Sequence, residues 1–355
     1  MKRAFILLLL AACSGGSETA RVADGGTTDA GACGALGADV AVEENASIYP
    51  GYAIDGCRLA YVQAGSHRLV LRDLATGTES FRTDAVATND DRPRRPTLCA
   101  DFVAWEVGAA AASVVVISKN GIAKKVMGAF DHAGEPRAFG TSVVFTAWLE
   151  PDALGDTDVL VYDTATDSTV VAAGGMGQQR FADVNEKYVV ASYCSEDPDG
   201  RYDGNDTDLA DVVVFDRATK ASTVRKAPGK QAFPVLVGDD LFGYLHWSDV
   251  HPEPKFQAFG VRGARVGTDV AADVKIADVT NALRFWLPSG HRGTLDWISP
   301  DTDGPELLWR APVDGSTVKQ SVLDGSFVGA PQSSNGLTVV AVRVSGAAIL
   351  KSVAR

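Results

Sequence analysis

The feature that most constrains the fold is a unit of about 47 residues that recurs seven times. Six of the seven units open on proline, and each unit then passes a Gly, Asp or Asn turn and enters a short apolar run that often carries an aromatic residue. In the third unit, Pro136 leads through Gly140 to Phe145. The units start at residues 50, 96, 136, 182, 234, 288 and 331, and Ala182 replaces proline in the fourth. This period is typical of propeller blades.

The second half of the unit predicts a β-hairpin. Alternating apolar runs are followed by an Asp-x-Ala-Thr segment, which begins at Asp73, Asp163 and Asp216 in three of the units. We expect these Asp side chains to accept hydrogen bonds from turn amides, and Gly77 permits a positive φ. Because a further short strand follows each turn, each unit holds four strands, and no helical periodicity interrupts them.

The last unit, residues 331–355, has room for three strands instead of four. Residues 39–43 form a short apolar run between two charged residues, so they could supply the missing outer strand and remove two open sheet edges. The sequence therefore predicts an all-β fold, a single β-propeller of seven four-stranded blades whose last blade is closed by an N-terminal strand. Six blades remain the alternative.

One segment of the first unit carries a family resemblance. Ile54-Asp55-Gly56-Cys57-Arg58-Leu59-Ala60-Tyr61 is similar to the Ser-Pro-Asp-Gly-Lys-x-Ile-Ala-Phe signature of TolB-like propellers with PD40 repeats. The repeat pattern extends over residues 39–355. The resemblance implies a propeller architecture and a protein-binding role in the bacterial envelope.

The N-terminus has the features of an export signal. Lys2 and Arg3 precede an apolar stretch that is too short to span a bilayer. The stretch ends in Leu10-Ala11-Ala12-Cys13, which resembles a bacterial lipobox, so the resemblance implies cleavage before Cys13 and acylation of its thiol. An ordinary signal peptide is the alternative.

These features divide the chain into three parts. Residues 1–12 are the predicted signal peptide, 13–37 a lipidated cysteine with a flexible tether, and 38–355 the propeller domain. Ser14, in place of an aspartate, favours the outer membrane by resemblance to bacterial lipoproteins. The expected location is the cell envelope, with the lipid as the contact to the membrane.

Charge excludes one class of partner. Lys plus Arg number 33 and Asp plus Glu number 45, which gives a net charge of −12 without a long basic run. Nucleic acid is therefore not an expected partner. The expected state is a monomer that binds an envelope protein or a glycan.

Four cysteines remain beside Cys13. Cys57 and Cys99 lie near equivalent turns of adjacent units and are the predicted disulfide, although Cys33 on the tether could reach either of them. Cys194 begins a loop expected on the opposite face, so we expect it to remain a thiol. A thiolate metal site is disfavoured because the sequence lacks Cys-x-x-Cys.

The fourth unit carries an unusually acidic loop. Alternating carboxylates separated by glycine can surround Ca²⁺, although the spacing is not that of an EF-hand. The alternative is a solvated loop whose Asp residues cap turns. Calcium is the one cofactor that the sequence suggests, and its candidate ligands are Asp199, Asp203, Asn205, Asp206 and Asp208.

Arginines gather near the unit starts, where they could surround a central funnel suited to carboxylated or sulfated ligands. Inter-blade ion pairing between these arginines and the acidic loops is the other interpretation, and it is the favoured one. The candidate ligand-binding residues are Arg95, Arg137, Arg180 and Arg284.

The sequence favours a non-enzymatic, envelope-anchored binding module for a protein or a glycan. A funnel enzyme, either a polysaccharide lyase or a lactonase-like hydrolase, is the alternative, and it requires His132 and His291 to converge with Arg and carboxylate side chains. A structural surface protein without a ligand is a third possibility. Trp247 and Trp286 fit the repeat least well and are candidates for a sugar-binding surface.

Overall fold

The structure is a computed structural model, and it is built almost entirely of β-strands. It describes residues 40–43, 51–84, 92–99, 101–108, 113–149, 156–175, 177–196, 209–247, 259–279, 286–300, 304–321, 326–334, 337–344 and 347–354. The one helix in these ranges is a short 3-10 turn, Val270–Ala272. Within the same ranges, no helix has the length and apolar character needed to cross a membrane.

Strand β1 is Val40–Glu43, and the strands after it form consecutive four-stranded meanders. Blade 1 contains β2 (Tyr52–Asp55), β3 (Arg58–Val62), β4 (Leu69–Asp73) and β5 (Glu79–Phe81). Blade 2 contains β6 (Arg94–Cys99), β7 (Phe102–Val107), β8 (Val114–Lys119) and β9 (Ile122–Val126). Blade 3 contains β10 (His132–Phe139), β11 (Ser142–Trp148), β12 (Asp158–Asp163) and β13 (Ser168–Ala173).

The next three blades repeat this arrangement. Blade 4 contains β14 (Gln178–Val184), β15 (Tyr188–Glu196), β16 (Leu209–Asp216) and β17 (Ala221–Arg225). Blade 5 contains β18 (Lys230–Leu236), β19 (Leu241–Trp247), β20 (Phe259–Arg265) and β21 (Val274–Val279). Blade 6 contains β22 (Trp286–His291), β23 (Thr294–Pro300), β24 (Glu306–Pro312) and β25 (Lys319–Ser321).

Blade 7 joins the two ends of the described chain. Its inner edge is split into β26 (Ser326–Phe327) and β27 (Gln332–Ser334), which both pair with β28 (Leu337–Val344). Strand β29 (Ala347–Ala354) follows, and β1 pairs with it as the outermost strand, with Ala41 opposite Lys351. The predicted N-terminal closing strand is confirmed.

The blades form a complete ring. The first strand of each blade contacts the first strand of the next, from β2 through β6, β10, β14, β18 and β22 to β27, and β27 contacts β2 again. These inner strands therefore surround a central channel. The prediction of seven four-stranded blades is confirmed, and the alternative of six is wrong.

The apolar core is divided among the seams between blades. Seven clusters of buried side chains each draw on two adjacent blades. Phe145 of blade 3 packs with Phe102 of blade 2, and Trp297 of blade 6 packs with Leu245 of blade 5. A blade on its own would expose both of its faces, so its stability depends on its neighbours.

The hairpin turns follow the predicted chemistry. Asp73 Oδ1 accepts hydrogen bonds from the amides of Ala75 and Thr76, at 2.8 and 2.9 Å. Asp163 and Asp216 make the same pair of bonds in blades 3 and 4. Gly77 has φ +72°. This local chemistry fixes the turn between the third and fourth strands of three blades.

The predicted Cys57–Cys99 disulfide is wrong. Cys57 is disulfide-bonded, but Cys99 is a buried thiol. Cys57 packs with Leu337 in the seam between blades 1 and 7, whereas Cys99 packs with Phe145 between blades 2 and 3. The two sulfur atoms therefore face different seams. Cys194 is a buried thiol, as expected.

Candidate functional site

The candidate site is the opening of the channel at which the inner strands begin. This N-terminal mouth has at its rim Gly51, Arg95, Glu135, Phe181, Phe233 and Ala330. It leads into a cavity of about 360 Å³ that is lined by all seven inner strands. A second cavity lies at the opposite end, the C-terminal mouth, beside Asp55, Asn185 and His291.

A bulge in the inner strand shapes the N-terminal mouth. Strand pairing shifts register around the residue before each unit's start in blades 2 to 5. That residue has a positive φ although it is not glycine: Arg95 (+45°), Glu135 (+57°), Phe181 (+53°) and Phe233 (+55°). In blades 2, 3 and 5 the next residue is a proline inside the strand, where it is tolerated because the channel edge needs no ladder N–H; in blade 4 the next residue is Ala182.

The preceding blade holds each of three bulges in place. Glu106 Oε2 accepts the amide N–H of Glu135 at 3.1 Å. Glu135 Oε2 accepts the N–H of Phe181 at 3.3 Å, and Ser192 Oγ accepts that of Phe233 at 2.9 Å. A left-handed conformation costs a non-glycine residue roughly 1–2 kcal/mol, and these bonds offset part of that cost.

The same carboxylates pair with arginines, Glu106 within its own blade and Glu135 across the seams. The Glu106 carboxylate forms ion pairs with the guanidinium groups of Arg94 and Arg95, with N–O distances of 2.8 and 2.9 Å, and its side chain is only 3% exposed. Glu135 binds Arg180 of the next blade and lies 3.9 Å from Arg95. Inter-blade pairing of the mouth arginines is therefore present, but these partners lie on strands instead of in acidic loops. Sequence reasoning missed both glutamates.

Glu135 remains ionised at this site. Burial on its own would raise the pKa of its carboxyl group. The charges of Arg180 and Arg95, with hydrogen bonds from Arg180 and the Phe181 amide, outweigh burial and hold the pKa below its usual value. The group therefore acts as a fixed negative charge that organises the arginines.

We expect Glu135→Gln to lower the free energy of unfolding at pH 7 by about 1.5–3 kcal/mol, because the charged acceptor of Arg180 is lost. A carboxyl with a lowered pKa stabilises the fold above its unfolded pKa, and this stability is lost as pH falls through the folded value. Chemical denaturation from pH 7 to 3 should therefore show a weaker acid dependence in the variant. An unchanged pH profile would contradict this role of Glu135.

Arg137 and Asp183 face each other deeper in the channel. Arg137 is exposed, and Asp183 of the next blade accepts the Leu236 amide at 2.8 Å through Oδ2. Burial raises the pKa of Asp183, and the charge of Arg137 opposes that rise only in part. Among the described residues of this region, four arginines lie beside three carboxylates. Positive groups therefore outnumber negative ones here, although the chain as a whole has a net charge of −12.

The rest of the mouth is aromatic on one side and rich in hydroxyl groups on the other. The rings of Phe181 and Phe233 lie 4.5 Å apart between blades 4 and 5, and both are partly exposed. Across the channel, Ser289 and Ser333 line the cavity. Charged, aromatic and hydroxyl groups therefore occupy separate sectors of one opening.

A buried ion pair fixes the hydroxyl sector. Asp296 is 1% exposed and accepts Arg310 Nε at 2.6 Å. It also accepts hydrogen bonds from Thr338 Oγ1, at 3.0 Å, and from Ser333 Oγ. Ser289 Oγ donates to Ser333 Oγ at 3.3 Å. The Asp296 carboxylate therefore fixes the orientation of Ser333 directly and that of Ser289 through Ser333.

Three of the four predicted arginines, Arg95, Arg137 and Arg180, meet at or beside the N-terminal mouth. Arg284 and the predicted calcium ligands lie outside the described residues, and so do Cys13 and the whole predicted tether, residues 13–37. In the parts of the chain that are described, no group of three His, Cys, Asp or Glu side chains could hold a metal ion. Calcium in the acidic loop stays a prediction.

The two histidines do not converge. His132 begins β10 and lies near the N-terminal mouth, 5.9 Å from the Trp148 ring, whereas His291 ends β22 at the C-terminal mouth. At about 3.3 Å per residue, an inner strand separates them by roughly 20 Å. Trp247 packs on Phe259 at 5.0 Å, and the side chain of Trp286 lies outside the described residues.

Fold and channel together define a seven-bladed β-propeller with a polar channel mouth. No protein-family model matches the chain, and no curated protein matches it. The β-propeller domain of the Trilobed protease from Pyrococcus furiosus superposes with a TM-score of 0.61 at 10% identity, over 88% of this chain and 94% of that one. The propeller architecture implied by the TolB-like signature is confirmed.

Two further structures are similar. Pyrococcus horikoshii acylaminoacyl peptidase gives a TM-score of 0.58 at 11% identity, over 86% of this chain and 51% of that chain, so this protein spans about half its length. TolB from Acinetobacter baumannii gives 0.44 at 14% identity, over 72% and 60% of the two chains. At such identities the likeness concerns the fold alone.

Proposed function

We propose that the protein is a non-enzymatic binding module of the bacterial envelope, held at the outer membrane by a lipid on Cys13, and that it binds its ligand at the N-terminal mouth. The observation that carries the proposal is the convergence of charged, aromatic and hydroxyl side chains on one cavity of about 360 Å³. A concave site with a few oriented polar groups is the usual form of a ligand pocket.

Two features favour binding over catalysis. Glu135 is ionised and lies beside the charges of Arg180 and Arg95, so it supplies a fixed negative charge and holds no proton to transfer to a substrate. The histidines that a funnel enzyme would require lie at opposite ends of the channel. A rigid ring of blades that carries different side chains at one mouth suits recognition.

The binding site is tested by affinity capture from envelope extracts with the full, acylated chain. We expect Arg137→Ala combined with Phe233→Ala to lose the components, protein or glycan, that the unmodified protein retains. Arg265→Ala is the matched control, because Arg265 is an exposed arginine in an ion pair with Asp240 on the opposite face. Identical capture by the double variant and the unmodified protein would place recognition elsewhere.

The anchor is tested separately. Cys13→Ser should prevent acylation and move the protein from the detergent phase to the aqueous phase, because several acyl chains give durable membrane binding. Phase partitioning and mass spectrometry of the N-terminal peptide measure both effects. Continued partitioning of the variant into detergent would refute the lipid anchor and leave the channel site untouched.

A further inference from the structure

We propose that the ligand of the N-terminal mouth is an acidic saccharide, whose carboxylate binds Arg137 and whose sugar ring packs against Phe181 and Phe233. This inference rests on the proposed function, because it names the chemical class that the same site would bind. Three independent features of the mouth support it: an available positive charge, an aromatic surface beside that charge, and oriented hydroxyl groups across from it.

The positive charge is the first feature. Arg94, Arg95 and Arg180 are each paired with Glu106 or Glu135. Arg137 is exposed, and no salt bridge to it is found among the described residues, although its charge acts on Asp183 of the next blade. Its planar guanidinium group is therefore the one best placed to bind a carboxylate through two parallel hydrogen bonds.

The aromatic surface is the second feature. Going around the ring, Arg137 belongs to blade 3, Phe181 to blade 4 and Phe233 to blade 5. The two phenylalanine rings lie 4.5 Å apart with an interplanar angle of 50°, and the Arg180 guanidinium group lies 4.9 Å from the Phe181 ring. The apolar C–H face of a pyranose can pack on such rings, next to the carboxylate that Arg137 binds.

The hydroxyl groups and the size of the cavity are the third feature. Ser289 and Ser333 line the opposite wall, and Asp296 orients Ser333 from behind. Ser289 donates its proton to Ser333, and Ser333 donates its own to Asp296, so the lone pairs of Ser289 are left to accept hydrogen bonds from the hydroxyl groups of a sugar. A cavity of about 360 Å³ is near the lower limit for small-molecule sites and fits one or two sugar rings.

The test is calorimetry of the full chain with paired disaccharides. Two acidic probes carry glucuronate or galacturonate at the non-reducing end, and their neutral partners carry glucose or galactose there. We expect at least one acidic probe to bind and its neutral partner to bind about 10- to 100-fold more weakly, the cost of losing a charge-assisted hydrogen bond. Arg137→Ala should abolish this preference, Phe233→Leu should weaken the acidic probe, and Arg265→Ala should change neither.

The outcomes separate the inference from the proposed function. Absence of binding by both acidic probes at millimolar concentration, or equal binding of acidic and neutral partners, overturns the inference. A tripeptide with a free carboxylate that displaces a bound acidic probe at much lower concentration shows that the mouth recognises peptide instead. If the mouth variants also retain full capture from envelope extracts, the proposed function itself is wrong.

Discussion

Substitution of Gly263 by alanine is expected to lower the free energy of unfolding by at least about 3 kcal/mol, near the upper end of the cost of overpacking. A Cβ atom at this position would lie 1.9 Å from the carbonyl oxygen of Val313 in blade 6. Because the obstacle is backbone, no side-chain rotation relieves the clash. Blades 5 and 6 must separate, and thermal or denaturant unfolding of the full chain measures the loss.

Gly260→Ala is the matched control for this prediction. Gly260 lies on the same strand, β20, but its added Cβ would have no neighbour closer than 3.7 Å. We expect a change within about 1 kcal/mol, in either direction, because alanine restricts the unfolded chain without a clash. Equal destabilisation by the two substitutions would mean that the seam between blades 5 and 6 is not as close as described.

Replacement of β1 (Val40–Glu43) by a Gly-Ser sequence of equal length is expected to lower the free energy of unfolding by at least about 3 kcal/mol, at about 1 kcal/mol for each lost ladder hydrogen bond. The change leaves blade 7 with an exposed edge on β29 and breaks the connection between the chain ends. Hydrogen–deuterium exchange should show faster exchange of the β29 amides, and the ring should open at lower denaturant concentration.

The same replacement in β5 (Glu79–Phe81) is the control, since β5 is also an outermost strand but does not close the ring. Its effect should be smaller and confined to blade 1 in the exchange data. If the two replacements have equal effects on stability and on the exchange of β29, then β1 contributes no more than an ordinary edge strand.

Local chemistry explains why the blade pattern could be predicted from sequence. The Asp-x-Ala-Thr turns specify their own hairpins, as the bonds to Asp73 show, and continuous apolar runs specify strands that are buried on both faces, such as Ser142–Trp148. The last unit is one strand short, and residues 39–43 form a strand that belongs to no other unit. Pairing the two removes two open sheet edges, which is why the sequence predicted ring closure.

The details of the mouth could not be predicted because they depend on contacts between units. In the sequence, proline stands at the start of six of the seven units, yet Pro136 lies in the middle of β10, after the bulge at Glu135. Glu106 has no feature of its own in the sequence. Its role arises from three groups in two blades that meet around it, Arg94, Arg95 and the Glu135 amide. One signal was available: Arg95, Glu135, Phe181 and Phe233 occupy the same position of the repeat.

Glycine was similarly ambiguous. In the sequence it indicates turns, as Gly77 does, but Gly243 and Gly263 lie opposite each other in the middle of adjacent strands. An added Cβ on Gly243 would lie 2.2 Å from Leu295 of blade 6, so both glycines permit the close approach of a neighbouring blade. The disulfide prediction failed for a related reason, because side-chain direction, and not proximity along the repeat, decides which seam a cysteine faces.

The most direct test of the closed ring is a disulfide between β1 and β29 in the full chain. Ala41 pairs with Lys351, and opposite residues of antiparallel strands have Cα atoms about 4.5–5.5 Å apart, within disulfide range. Peptide mapping of the oxidised Ala41→Cys, Lys351→Cys variant should identify one intramolecular cross-link between the chain ends. The shifted pair Ala41→Cys, Val353→Cys should form little. Absence of the first cross-link, or equal yields from both pairs, would contradict a propeller closed by its N-terminal strand.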